Sequence, residues 1–316
     1  MLSCFWKKQN KICDVLKKKP MIKFTIAVIS LCILHWLLVQ SYVYFCTEFS
    51  LWGLFTHFFT MGSPVCQFLN YLQFESSITI HSLVGFIIGL LLVFRTNTAY
   101  DRWWEGRKLL GSLVNTSRNL ALKINSLVPS NDIKKRKMYS KMISNYCFSM
   151  KEHLRDNIKL EELENTNIFN KESLKQLNHA PNKIIGDIFK MNKSLFDDKI
   201  ISGDIFITID NETKNFTEII GACERIKKTP IPYSYNIFLK KFIFVYTLTL
   251  PFGLTASLFY YWTVPICVFI LYILASLELL AEEIENPFGN DPNDLPVDDI
   301  CDDIKKNVSE ILLNQN

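Results

Sequence analysis

Charge is missing from two long stretches of this sequence. Between Phe24 and Phe94 there is no lysine or arginine, and the only acids are Glu48 and Glu75. Phe242 to Leu277 carries no charge of either sign. The 316 residues are 49% hydrophobic and 21% charged, so charge is segregated, which is not the mixed surface of an ordinary soluble domain. Cysteine patterns are missing too: the nine cysteines form no C-x-x-C pair, so neither a zinc site nor a disulfide framework is suggested. There is no P-loop, nucleophile motif or glycine-rich dinucleotide turn, and the chain is read as no enzyme. A net charge of +4 without a concentrated basic face gives no reason to expect a nucleic-acid partner. The basic N-terminus is long, and no small-residue cleavage site follows the first apolar run, so a cleavable signal peptide is not expected.

What is present reads as a membrane protein. All 35 lysines and arginines fall in the first 23 residues, in Arg95 to Lys241, or in the tail. Residues 24–45 are long enough to cross ~30 Å of hydrocarbon, and the positive-inside rule keeps the preceding lysines in the cytoplasm. The segment 46–75 is apolar but holds His57, Gly62, Ser63 and Pro64. If it crossed, the basic middle of the chain would be delivered outside, so it is read as an outer loop. The expected organisation is therefore a basic cytosolic segment 1–23, spans at 24–45 and 76–94, a helical cytosolic region 95–241, spans at 242–260 and 262–280, and an acidic cytosolic segment 281–316. Both termini lie in the cytoplasm, and membrane lipid is a partner.

In the middle, Trp103, Leu110, Leu113, Val114, Leu120 and Ile124 recur at helical spacing and extend the second span as a helix to about Leu127. Residues 133–158 and 182–196 read as further amphipathic helices, and 160–180 as a linker. A helix over 211–228 is stopped by Thr229-Pro-Ile-Pro232, because proline removes a donor and disfavours helix before it.

Three groups of residues could carry function. Arg102, Trp103 and Trp104 follow the change from hydrocarbon to charge and suit an interface anchor. Phe86, Leu90 and Phe94 lie at i, i+4 and i+8 on one helix face, while Gly85 and Gly89 would admit another backbone closely. Such spacing is common to transmembrane helices. Its functional reading is a hydrophobic constriction formed by several copies around an axis. Glu278, Glu282, Glu283 and Glu285 precede the turn-rich stretch from Asn286 to Asp294. Its oxygen ligands suit a hard divalent cation such as calcium, although solvated helix ends have the same composition. A carboxylate-metal hydrolase would use Glu282, Glu283, Asp291 and Asp294, but no histidine lies near them in sequence.

Three blocks then match a known family. Phe94-Arg-Thr-Asn-Thr-Ala-Tyr-Asp-Arg-Trp-Trp-Glu-Gly-Arg107, Gly221-Ala-Cys-Glu-Arg-Ile-Lys-Lys-Thr-Pro230 and Glu285-Asn-Pro-Phe-Gly-Asn-Asp-Pro-Asn-Asp294 resemble the signature blocks of the bestrophins, in their bacterial and chloroplast branch, in family order. The resemblance implies an all-α membrane protein with four transmembrane helices continuous with a helical cytosolic region, homopentameric around a central pore. It places the family's neck on Phe86, Leu90 and Phe94, and its cytosolic aperture near 201–207, with Ile201 and Ile205 as candidates. The family's calcium clasp corresponds to Glu283, Asn286, Asp291 and Asp294. The implied activity is passage of small monovalent ions, chloride favoured because phenyl edges are positive, in a bacterial inner membrane. A sodium or potassium channel of the same fold is the alternative, since acids at the inner mouth would concentrate cations. A non-conducting scaffold and the hydrolase are the rivals from other classes.

Overall fold

One helix carries the chain out of the first of its two charge-poor stretches and deep into its charged middle. Helix α1, Ile78–Leu127, has 50 residues and is about 75 Å long at 1.5 Å per residue. It contains no proline. It ends where Pro129 disfavours helix in Val128, and Arg136 donates to the carbonyls of Asn125 at 2.8 Å and Val128 at 2.7 Å, satisfying terminal acceptors. The computed structural model describes residues 78–313 except 158, 167 and 255–259, together with Ser30, Ile33 and Leu37. The segments expected at 1–23 and 46–75, and all but those three positions of the span expected at 24–45, lie outside the described residues.

The described elements are all helical. After α1 come α2 (Ile133–Leu154), two short 3-10 turns (Leu160–Glu162 and Lys171–Gln176), α3 (Ala180–Asp197), α4 (Gly203–Lys228), α5 (Tyr233–Leu254), α6 (Tyr260–Glu285) and α7 (Val297–Leu313). They form two compact units, one of Met1–Thr98 with Pro232–Ala281, the other of Ala99–Ile231 with Glu282–Asn316; α1 and α6 contribute to both.

In the first unit Ile88 and Leu92 of α1 pack with Ile243, Tyr246 and Leu250 of α5 and Cys267 and Leu271 of α6. Among the described residues, two helices are long and apolar enough to cross a membrane, Thr79–Leu127 and Trp262–Glu285. Only 17% and 22% of their most apolar windows are buried. A core helix of a soluble protein would be mostly buried, so these apolar surfaces call for lipid or further protein.

The second unit is built on α2, whose residues from Tyr139 to Leu154 are almost all buried. A burial this complete takes in polar groups, and each of the following has a partner. Tyr139 Oη donates to Asn192 Oδ1 of α3 (2.9 Å), and Asn192 Nδ2 donates to Thr213 Oγ1 of α4 (2.8 Å). Asn145 Nδ2 donates to Glu164 O while its Oδ1 accepts Glu164 N–H, which fixes the connection after α2. Lys151 Nζ donates to Glu162 and, at 2.9 Å, to Asp298. Asp298 is in turn held well below the usual carboxylate range by Arg155 and then Lys151.

Two differences from expectation have a clear cause. Helix α4 starts at Gly203, not at 211, because Ile209 extends the buried stripe through Thr213, Phe216, Ile220 and Cys223. The tail expected as an acidic segment holds α7, which buries Val297, Cys301, Ile304, Val308 and Leu312 on α2. Its acids occupy the opposite face, the pattern of an amphipathic surface helix.

Gly85 and Gly89 also part company. A Cβ at Gly85 would lie 2.8 Å from Tyr246 Oη, whereas one at Gly89 would meet nothing within 4 Å. What approaches α1 closely is a tyrosine side chain. Gly85→Ala is therefore expected to destabilise the purified protein by ~1–3 kcal/mol through overpacking, with Tyr246→Phe restoring much of the loss; a Gly85→Ala melting curve that overlays the wild type would contradict this packing.

Candidate functional site

Along the first half of α1, burial follows a strict stripe. Ile88 and Leu92 are 0% and 1% exposed, Arg95 1% and Ala99 0%. The residues two positions before the first two of these lie about 200° round the helix. Accordingly Phe86 is 69%, Leu90 45% and Phe94 55% exposed. The structure thus brings the three expected neck residues onto one open, apolar face, each turned away from the unit's own core.

Arg95, the residue after Phe94, points the other way. Its Nε lies 3.8 Å from Glu278 Oε2 of α6, with both side chains almost fully buried. A buried pair of this kind is costly to break, because removing one partner leaves the other charge in a low-dielectric setting. It ties the rotation of α1 at Phe94 to α6. The sequence carried a signal for it: Arg95 is the first charge after one apolar run and Glu278 the first after the other.

The three signature blocks meet in the second unit. Arg102 donates from Nε to Glu285 O (3.1 Å), from Nη1 to Thr229 O (2.5 Å) and from Nη2 to Ile226 O (2.5 Å). One guanidinium thereby closes the C-terminal ends of α4 and α6, where carbonyls lack partners and positive charge is favoured. Between Pro230 and Pro232 the only backbone donor is Ile231 N–H, which Glu285 Oε1 accepts at 2.7 Å. Trp103 Nε1 donates to Asn293 O at 3.0 Å. A Cβ on Gly106 would come within 3.2–3.3 Å of Leu295, Phe288 and Pro287, so this glycine lets the Asn-Pro-Phe-Gly loop lie against α1. These contacts correct the anchor expectation for Arg102 and Trp103, whose polar groups are spent inside the protein. Trp104, 48% exposed and stacked with Tyr100, is the member of the trio with a ring open to its surroundings.

The aperture expectation changes as well. Ile201 is 5% exposed, and Ile205 is partly buried against the same core. Ile201 is therefore a core residue, whereas Ile205 keeps part of its side chain open. Ile207, in the first turns of α4, is 61% exposed and is the most open isoleucine of that stretch.

In the acidic loop, Glu283 Oε2 accepts from Asn293 Nδ2 (2.9 Å) and Asp294 Oδ2 from Asp291 N–H (2.6 Å). Asn286 and Asp291 are exposed. Burial raises the Asp294 carboxyl to about 6. The described histidines, cysteines and acids whose ligand atoms gather within 4.8 Å as a group of three are His153, His179 and Glu224; Glu283, Asp291 and Asp294 do not gather in this way. That histidine trio had no signal in the sequence, where its members are far apart. For the junction, Arg102→Lys is expected to lower stability by ~1.5–3 kcal/mol, since one ammonium cannot reach three carbonyls, while Trp104→Phe changes it little. Equal melting temperatures for Arg102→Lys and the wild type would contradict the capping role.

Comparison with known proteins agrees with this geometry. A family model described as Bacterial/Fungal Bestrophin protein matches residues 15–310. The voltage-dependent anion channel-forming protein alr2987 of Nostoc sp. is 39% identical over 234 residues, covering 71% of this chain and 74% of its own. The protein of the same description, sll1024, from Synechocystis sp. is 34% identical over 262 residues, covering 80% and 83%. The fold matches the crystal structure of a bacterial Bestrophin homolog from Klebsiella pneumoniae with a TM-score of 0.77, at 23% identity, over 94% of this chain and 100% of that one. These relatives are channel-forming proteins, not enzymes. With its family model spanning nearly the whole sequence and its helical architecture shared, the chain belongs to the bacterial bestrophin family of membrane proteins.

Proposed function

We propose that this chain forms a passive anion channel, chloride favoured, in which five copies surround one pore and Phe86, Leu90 and Phe94 of each copy form its neck. The observation that carries the reading is the open apolar face of α1: three large side chains, 45–69% exposed, opposite a fully buried stripe. Copies arranged about an axis would bury that face against a narrow lumen, which an ion crosses only when the constriction is wetted. The relatives named as voltage-dependent anion channel-forming proteins support the choice of anion. So do the phenyl rings at Phe86 and Phe94, whose edges carry partial positive charge.

On this reading Ile207 provides a second apolar ring, Trp104 meets the lipid headgroups, and Arg95 with Glu278 holds the neck face in register. The segregation of lysine and arginine supports a cytoplasmic position for both termini, in a bacterial inner membrane. Leu90→Ala is expected to widen and wet the neck, raising single-channel current severalfold in planar bilayers with the reversal potential unchanged. A mutant current equal to that of the wild type would remove Leu90 from the neck.

A further inference from the structure

Far along the chain from the neck, three helices of the second unit bring nitrogen and oxygen ligands to a point. His153 lies in the last turn of α2, His179 is the N-cap of α3, and Glu224 stands near the C-terminal end of α4. His153 Nε2 is 2.7 Å and His179 Nε2 2.8 Å from the same atom, Glu224 Oε1. The two rings are 4.4 Å apart between centroids and tilted by 38°. The side chains are 21%, 28% and 19% exposed, sheltered yet within reach of an ion from solvent.

The surroundings hold the carboxylate in place for the two rings. The second carboxylate oxygen, Glu224 Oε2, accepts from Lys228 Nζ at 3.0 Å, which orients the group and leaves Oε1 to the two rings. Outer hydrogen bonds of this sort are what hold ligating carboxylates in place at metal centres. The neighbouring cation, Lys227, is compensated by Asp156 Oδ1 at 2.6 Å. Two imidazole nitrogens with one carboxylate oxygen form the donor set of a borderline first-row divalent ion; calcium and magnesium favour oxygen alone.

We propose that His153, His179 and Glu224 bind a divalent transition-metal ion of the zinc type, joining α2, α3 and α4. Tetrahedral ligation at ~2.0–2.1 Å sets the ligand atoms roughly 3.3 Å apart, so the rings and the carboxylate withdraw from one another by about half an ångström. His179 Nδ1 accepts Asn182 N–H at 3.2 Å. Ligation through Nε2 moves the ring proton to Nδ1 and gives up that cap.

The test is calorimetric titration of zinc chloride into the full-length protein, purified in detergent and stripped with EDTA. One zinc ion per chain is expected. His153→Gln keeps an N–H for Glu224, and His179→Asn keeps a side-chain acceptor for the α3 cap; each should weaken zinc binding at least about tenfold while the stripped protein elutes and melts as the wild type does. Cobalt(II) added to the wild type should give the visible absorption of a tetrahedral site, a readout that holds even if a variant folds poorly. No zinc binding by the wild type, affinity that neither variant changes, or no such cobalt spectrum would overturn the proposal.

Discussion

The proposed channel depends on which side of α1 is buried. Ile88, Leu92, Arg95 and Ala99 face inward, and the same stripe continues below them through Gly106, Leu110, Leu113, Ser117, Leu120 and Ile124. Steps of three and four residues keep these positions on one side of a helix over its length. Within the first unit, the packing of Ile88 and Leu92 and the Arg95–Glu278 pair set the rotation of the apolar half. The exposure of Phe86, Leu90 and Phe94 follows from that rotation. Among the positions on the stripe, Arg95 is the one with charge, and a buried charge specifies a partner where a leucine would accept several neighbours.

Arginine does the corresponding work at helix ends. Arg136 closes α1 and Arg102 closes both α4 and α6, in each case by supplying donors to carbonyls that a helix terminus leaves unmatched. The prolines at 129, 230 and 287 follow those termini closely, and sharp termini expose acceptors in one place. The planar guanidinium, with several fixed donors, can serve them together. This is why the three signature blocks, far apart in the chain, contain an arginine on α1, a proline turn after α4 and the end of α6: they are parts of one hydrogen-bonded junction.

Much of this was legible from residue order, for identifiable reasons. The continuity of α1 from membrane-like to charged sequence was readable because its apolar stripe persists through Ile124. The open face at Phe86, Leu90 and Phe94 was readable from spacing and from resemblance together. Helix α7 was legible in its stripe at Val297, Cys301, Ile304, Val308 and Leu312, but the acids between the first three drew the reading to charge. The tasks of Arg102 and Trp103 were not legible: a charge and an indole beside an apolar run look like lipid anchors until the carbonyls they bind come into view. Ile201 and Ile207 illustrate the same limit. They are identical residues six positions apart, and only the packing of α4 decides that one is core and the other exposed. The trio of His153, His179 and Glu224 depends wholly on tertiary contact.

Anion conduction along an axis lined by α1 is the proposal on which the rest turns. Its most direct test is the reversal potential of the purified protein in a planar bilayer under a potassium chloride gradient. A reversal close to the chloride equilibrium potential is the predicted result. A reversal close to the potassium equilibrium potential would contradict it, and would turn attention from the phenyl rings of the neck to the acids of the chain.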